Sequence, residues 1–378
     1  MKIIGQIKSG LINYKIGNIM RLFKNFKSYI GNKKELTYFT NEVQKSKWRI
    51  FFDQMRLIFK YGYVEDYYYH YGHDLLSAKM IDDFILEPVH IKILSEANDY
   101  PYGKKAHWEK MFNYKALVRD KYLFSLMMDA YNLPSPKTFG FIKNNMFFVQ
   151  KDKKSIKIDE LNNYDMDVML KPTTGNGGIG MIHITIKNGI IYKSNRVISI
   201  EDLRKLINSK EMYLVQEYVS KQHPDMVSLF PNSLNTLRVT MVRDEKGIVH
   251  LLGVMALMGV GDMIVSNWHY GGIIINVNND GYLNEYGYSL SLKRIDRHPE
   301  TGVVFKEFKV PFYNEIIDVC TNAMELFYGL KSIGWDMAIT PDGPIFIEGN
   351  DMWGLPAHQM VERRGWRHYY KDFFSYNK

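Results

Sequence analysis

The sequence predicts an α+β protein: a basic, mainly helical region over residues 1–110, then mixed strands and helices to residue 378. Three observations predict it. Apolar residues recur at helical spacing at 17–30 and again at 46–60. Beyond residue 137, short apolar runs are bounded by Gly, Pro, Asn and Asp, as strands are. Residues 333–350, IGWDMAITPDGPIFIEGN, set two such runs around Pro341-Asp342-Gly343, the turn signal of a β-hairpin. With 378 residues and 46% hydrophobic content, the chain can form two or three packed units of about 100–200 residues each.

Composition narrows the class. Charged residues at 24% fit a soluble globular chain rather than a disordered one. A single cysteine, Cys320, excludes an internal disulfide framework and fits a reducing compartment. No apolar run reaches the roughly 18–20 residues of a membrane span, and no signal-peptide h-region opens the chain, so a cytoplasmic protein is expected. The net charge of +8 is uneven: residues 1–60 hold thirteen Lys/Arg against three Asp/Glu, a net +10 that leaves −2 for the remainder.

The elements follow in order. Residues 17–30 read as a helix with Ile19, Leu22, Phe23, Phe26 and Ile30 on one stripe and Arg21, Lys24 and Lys27 off it. Residues 46–60 repeat the design with Trp48, Phe51, Phe52, Met55 and Phe59, flanked by Arg49, Arg56 and Lys60. Basic helices with bulky aromatics fit two roles, peripheral contact with an anionic membrane through residues 17–60 or packing on the next domain. No nucleic-acid motif accompanies the charge, so no nucleic-acid partner is expected. Residues 75–85 are read as a helix; His70, His73 and Asp74 nearby match no zinc spacing.

Residues 114–131 are helical in pattern, and Pro134 and Pro136 stop them. Residues 138–150 read as strand, loop, strand. The buried strand at 167–171 ends in Lys171 and runs into Pro172-Thr173-Thr174-Gly175-Asn176-Gly177-Gly178-Ile179-Gly180, before a strand at 181–186. Such a loop lets backbone N–H groups close over phosphate oxygens while lysine neutralises their charge. It is not a Walker A loop, because the lysine precedes the glycines and no helix follows. A helix at 201–208 and a strand at 212–219, ending Gln216-Glu217-Tyr218-Val219, come next. Strands at 234–243, 249–255 and 273–277 and a helix at 311–330 complete the order.

In the hairpin, a three-residue loop with Gly343 at positive φ pairs Thr340 with Pro344, Met337 with Ile347 and Asp336 with Glu348. Alternation puts Asn350 on the face of Glu348, and Trp335, Met337, Ile339, Ile345 and Ile347 on the core face. Two carboxylates and an amide oxygen suit Mg²⁺ that also shares phosphate oxygens. They equally suit a polar face that meets water. A loop of two or four residues is expected to put Asp336 opposite Gly349 and break the cluster.

Taken together, Asp120-Lys121, Lys171 with its glycine loop, Gln216-Glu217-Tyr218-Val219, Arg238, Asp336 and Glu348-Gly349-Asn350 resemble the ATP-grasp superfamily in identity and order. Asn235-Thr236-Leu237-Arg238, His298-Pro299-Glu300-Thr301-Gly302, Ile333-Gly334-Trp335-Asp336 and Glu348-Gly349-Asn350 resemble, more narrowly, the sugar-transfer-associated ATP-grasp proteins of polysaccharide biosynthesis. The resemblance implies two α+β subdomains clamping ATP, a small lid subdomain at 111–212 and a large subdomain at 213–378 with the metal and acceptor sites.

It also implies roles. Lys121 and Lys171 would contact ATP phosphates beneath a lid of Thr174, Gly175, Asn176, Gly177, Gly178 and Gly180. Glu217, next to Gln216 at the end of its strand, would meet the adenine amino group, Tyr218 and Val219 would read the adenine edge through their backbone, and Ile347 would pack beneath the ring. Pro224 stands where relatives carry the acidic ribose ligand, with Asp225 next to it. Asp336, Glu348 and Asn350 would hold two Mg²⁺ ions, and Arg238 with Lys171 would act in catalysis. Acceptor candidates are His223, Asn267, His269, Tyr270, Gly271, His358 and Gln359.

The implied activity is an ATP- and Mg²⁺-dependent carboxylate–amine ligase, ADP-forming through an acyl phosphate, attaching an amino acid or amino sugar to a surface polysaccharide such as capsule. A sugar phosphotransferase, or an adaptor docking a glycan assembly on the inner membrane face, are the alternatives. Singly, Lys171 also fits an exposed strand end, Arg238 a cross-strand ion-pair partner, and Glu217 a solvated strand residue.

Overall fold

The computed structural model describes residues 20, 39, 41–78, 81–98, 114–175, 177–194, 196–207, 210–263, 266, 268, 271–290 and 293–375. The helix expected at 17–30 lies outside them, Met20 excepted, as do Asn176, Asn267, His269 and Tyr270.

Helix α1 (Lys47–Tyr61) starts where Ser46 accepts the Arg49 N–H at 3.3 Å and stops at Gly62 in the left-handed region. Its buried stripe is Ile50, Phe51, Gln54, Leu57 and Ile58, with Ile50 and Leu57 packed on Tyr68. The expected stripe is thus rotated: Trp48, Phe52 and Phe59 are 63%, 64% and 62% exposed. The described part of 75–85 forms only a short 3₁₀ turn, Ile81–Asp83, and the helix comes later as α2 (Glu87–Asn98). Pro88 explains the shift, since in a first turn its missing N–H leaves no bond unmade.

The expected helix at 114–131 is two, α3 (Ala116–Arg119) and α4 (Lys121–Ala130). Asp120 divides them: its backbone is extended and its carboxylate accepts the Tyr122 and Leu123 N–H groups, both at 2.9 Å. Lys121 therefore opens a helix rather than lying inside one.

The first sheet is antiparallel, built from β1 (Thr138–Lys143), β2 (Met146–Val149), β3 (Lys154–Lys157), β4 (Met166–Pro172), β5 (Ile182–Lys187), β6 (Ile190–Lys193), β7 (Arg196–Ile198) and β8 (Tyr213–Glu217). Its order is β3-β2-β1-β8-β4-β5-β6-β7. Val168, Leu170, Ile184, Ile186 and Val215 pack one face against Leu203 of α5 (Ile200–Leu206). By alternation the other face carries Asp167, Met169, Lys171, Gln216 and His183.

The second sheet, order β13-β12-β11-β10-β9-β14-β15, contains β9 (Thr236–Arg243), β10 (Val249–Met258), β11 (Ile273–Val277), β12 (Gly287–Ser289), β13 (Lys293–Ile295), β14 (Ser332–Thr340) and β15 (Gly343–Asn350). A short helix α6 (Pro224–Leu229) precedes it, and α7 (Tyr313–Leu326) lies before the hairpin. Leu237, Val239, Met241, Trp335, Met337 and Phe346 share a core with Ile316 and Cys320 of α7. Two C-terminal helices, α8 (Leu355–Glu362) and α9 (Arg367–Phe374), close the chain, with Trp353, Trp366 and Tyr370 in one cluster with Leu94 of α2.

The hairpin departs from its expected turn. Thr340 pairs with Gly343, so the loop has two residues, which alone would set Asp336 opposite Ile347 rather than Gly349. A bulge intervenes: Met337 pairs with Phe346 and Asp336 with Glu348, leaving Ile347 as the extra residue. The carboxylates meet as expected, but Phe346 points into the core, its ring centroid 5.2 Å from that of Trp335. Ile345 and Ile347, expected in the core, are half-buried.

Candidate nucleotide and metal site

Asp336 and Glu348 face each other at the open end of the hairpin, and Asp336 is also the register partner of Arg238 on β9. The Arg238 guanidinium forks onto the carboxylate, Nε to Oδ1 and Nη2 to Oδ2, the latter at 2.9 Å. The stem of Arg238 reaches across β14 because residue 334 has no side chain. A Cβ there would sit 3.0 Å from Arg238 Cδ and 2.7 Å from Trp353 Cβ. Asn350 turns its amide nitrogen toward both carboxylates, 3.3 Å from Asp336 Oδ2 and 3.4 Å from Glu348 Oε1. A half-turn of that amide would present Oδ1 instead.

The charges are unequal in their comfort. Burial pushes the Asp336 carboxyl up to about 6 in spite of Arg238. Burial also pushes Glu348 up, but Lys121, a hydrogen bond from Asp336, Arg238 and Asn350 together hold it below its usual range. Asp336 and Glu348 offer oxygen only, the chemistry a hard divalent cation selects.

Lys171, at the end of β4, donates to Gln216 Oε1 at 2.8 Å, and Gln216 Nε2 donates to the Pro136 carbonyl at 3.1 Å. Burial lowers the Lys171 ammonium to about 8, with Glu348 acting against that shift and Lys121 adding to it. Lys121 donates its backbone N–H to Thr173 O at 2.9 Å and its Nζ to Gly175 O at 2.8 Å. Two lysines from the first sheet and α4 thus share an electrostatic neighbourhood with Glu348 of the second sheet. The loop above them is exposed at Thr174, and Gly175, Gly177, Gly178 and Gly180 hold φ values of 114°, 71°, 76° and 75°. Side chains other than glycine rarely adopt these.

At the end of β8, Glu217 Oε2 accepts the Lys137 N–H at 3.1 Å, and its own N–H donates to Lys137 O. The Tyr218 N–H, expected to face adenine, is taken by Asp167 O at 3.0 Å.

The acceptor candidates scatter. His223 caps α6, its Nδ1 accepting the Asp225 N–H at 3.2 Å, and Asp225 is exposed. The Gly271 N–H closes a turn onto Trp268 O at 3.0 Å. His358 and Gln359, expected to be open to an acceptor, sit on α8 and are fully buried. Gln359 is consumed by structure: Oε1 accepts the Ile85 and Trp366 N–H groups, and Nε2 donates to Tyr71 OH and Ile85 O. His358 Nε2 lies 2.8 Å from Thr240 Oγ1, and burial, with Arg238 nearby, depresses its pKa well below the usual range.

Sequence reasoning missed Asp167, Met169 and His183, which share the Lys171 face of the first sheet. Counting back by twos from Lys171 along the strand finds the first two. It also missed Asp351, one residue past Asn350, which Arg119 grips through Nε at 2.9 Å and Nη2 at 2.7 Å.

A glycine-rich loop, two lysines and a carboxylate hairpin on two antiparallel sheets form the arrangement expected of an ATP-grasp protein. Residues 105–373, more than two thirds of the chain, match the family described as sugar-transfer associated ATP-grasp, and the chain belongs to that family. No curated protein matches the sequence. Among solved structures it is similar to N5-carboxyaminoimidazole ribonucleotide synthetase from Thermotoga maritima, with 17% identity, 74% of this chain and 53% of that one covered, and a TM-score of 0.37. L-amino acid ligase from Bacillus licheniformis matches at 13% identity, 66% and 44% coverage, TM-score 0.36. D-alanine–D-alanine ligase from Bacillus anthracis matches at 11%, 68% and 70%, TM-score 0.36. The chain spans about half the length of the first two.

Proposed function

We propose that the protein is an ATP- and Mg²⁺-dependent carboxylate–amine ligase that works through an acyl phosphate and acts on a surface-polysaccharide precursor. The observation that carries this reading is the Arg238 fork on Asp336, set opposite Glu348, whose charge Lys121 and Lys171 both feel from the neighbouring sheet and helix. The family's sugar-transfer association supports the glycan side. A carboxylate does not condense with an amine in water, because its oxygen is a poor leaving group. Phosphoryl transfer makes it a good one, and the amine then displaces phosphate.

Asp336, Glu348 and Asn350 would hold two Mg²⁺ ions, which when bound supply charge neutralisation for the phosphates. Lys121 and Lys171 bring two further positive charges to the phosphate chain. Arg238 is placed to offset the charge that develops on the transferring phosphoryl group and the tetrahedral adduct. The glycine loop excludes water, which would otherwise hydrolyse the acyl phosphate.

Incubation with ATP, Mg²⁺ and paired carboxylate and amine candidates is expected to release ADP and phosphate with formation of an amide. AMP and pyrophosphate would overturn the reading. A product heavier by about 80 Da, with no amide, would identify a sugar phosphotransferase instead.

Peripheral contact with an anionic membrane belongs to the same proposal, supported by the exposed aromatic side of α1. Its charge is reduced by structure, since Arg56 and Lys60 both bind Asp82, at 2.8 and 3.0 Å. No helix among the described residues is long and apolar enough to cross a membrane. In flotation assays the protein should rise with phosphatidylserine vesicles and stay down with neutral ones. Trp48→Ser with Phe52→Ser should abolish flotation; equal flotation of both proteins would remove the membrane from the proposal.

A further inference from the structure

The hairpin that carries the candidate metal ligands is tied at its open end by a residue from the N-terminal region. Asn98, the last residue of α2, is buried and uses both ends of its amide on backbone. Its Oδ1 accepts the Lys331 and Ser332 N–H groups at 2.9 and 3.0 Å. Its Nδ2 donates to the Ser332 carbonyl at 3.2 Å and the Asp351 carbonyl at 3.0 Å. Ser332 opens β14, four residues before Asp336, and Asp351 follows Asn350 at the end of β15. One side chain therefore clamps the two strands beside Asp336, Glu348 and Asn350.

The clamp continues outward. Asp351 takes the fork of Arg119, which directly precedes the Asp120 cap and Lys121. On the inner side, Trp353 Nε1 donates to Ser332 Oγ at 2.9 Å, and Ser332 Oγ donates to Met241 O at 2.7 Å. About two turns back on α2, His90 Nε2 lies 2.7 Å from Trp353 O. Every link is a buried or half-buried hydrogen bond with its partner in place.

We infer that Asn98 and Arg119 are positioning residues of the nucleotide and metal site: Asn98 fixes the spacing of the hairpin carboxylates, and Arg119 fixes Lys121 relative to them. The inference rests on the functional reading above. It also assigns α2, which lies outside the matched residues 105–373, to the working core of the enzyme rather than to an appendage. Partners one shell removed from metal ligands govern affinity because they set ligand orientation.

The test is direct binding of Mn²⁺·ADP to the full chain, followed by Mn²⁺ paramagnetic resonance and calorimetry, beside a melting curve for each variant. Asn98→Asp keeps the acceptor for the Lys331 and Ser332 amides and sets a carboxylate against two carbonyls. Arg119→Gln removes the grip on Asp351 from a side chain that is half exposed. Each is expected to weaken Mn²⁺·ADP binding roughly ten- to a hundredfold, with Arg119→Lys recovering part of the loss. Should Asn98→Asp fail to fold, Arg119→Gln decides. Variants that melt earlier yet bind Mn²⁺·ADP like the wild type would show a purely structural clamp and overturn the inference. A wild-type chain that binds no Mn²⁺·ADP would overturn the functional reading and the inference together.

Discussion

Arg238→Met is expected to slow ATP-dependent turnover by about 10²–10³, the loss typical of removing one preorganised charge from a transferring group, without weakening binding of Mg²⁺ and nucleotide. The two halves of that result have different origins. Met keeps most of the stem, so the passage over Gly334 stays filled, but the charge is gone. Binding should be unchanged or tighter because Arg238 holds both oxygens of Asp336 in this structure. A cation that takes Asp336 has to take them from the guanidinium, so removing the guanidinium removes a competitor. The same exchange would free Arg238 for the phosphoryl group just when the metal arrives.

Stability should follow the opposite course. Asp336 is buried, and burying a carboxylate whose partner has been deleted costs about 3–5 kcal/mol. The variant should melt early without metal and recover on adding Mg²⁺. Calorimetric titration with Mg²⁺ and ADP, ADP-release kinetics and paired melting curves check all three parts. Loss of nucleotide affinity with kcat preserved would place Arg238 in ground-state binding and sink the exchange.

Arg238 also shows what was legible in the sequence. Catalytic cation and cross-strand ion-pair partner are the two readings its sequence allows, and the structure makes the second literally true. Pairing across neighbouring strands is a property of register, which sequence fixes only when the turn is known. The hairpin makes the same point. Asp336 was expected opposite Glu348 through a three-residue loop, and it is there through a two-residue loop and a bulge at Ile347. The pairing is as expected and the path to it is not, because a bulge has no strong residue signature and cancels one error with another. Side chains near it paid in accuracy: Phe346, not Ile345 or Ile347, enters the core.

Helices outside the motifs were harder. Pro88 is a usable start signal for α2, and a helix read at 75–85 leaves it out. Nothing in the spacing of His358 and Gln359 announces that α8 is buried on all sides, since a helix without a polar face has no amphipathic period to read. Asn98 could not have been chosen from sequence at all. Its importance lies in four bonds to residues more than 230 positions away.

Lys171→Met should lower turnover on the same scale, about 10²–10³, and should also change how the enzyme responds to alkali. Burial brings the Lys171 ammonium to about 8 in the free protein, whereas an unfolded lysine titrates near ~10.4. Nucleotide phosphates bind the charged form better, so ATP affinity should fall as pH rises through about 8, and bound ATP should pull the Lys171 titration upward by linkage. Stability moves the other way. Between about 8 and ~10.4 the unfolded chain holds a proton that native Lys171 has released, so unfolding free energy rises with pH across that window. Below it, the cost of burying the ammonium is present in full. An alkaline gain in stability beside an alkaline loss of ATP affinity is therefore the signature of a buried phosphate-binding lysine. The KM for ATP and the melting temperature, each followed from pH 7 upward, measure the two slopes, and Lys171→Met should flatten both. A variant that keeps the wild-type slopes would assign the titration to another group and leave Gln216 holding a lysine with no part in phosphate binding.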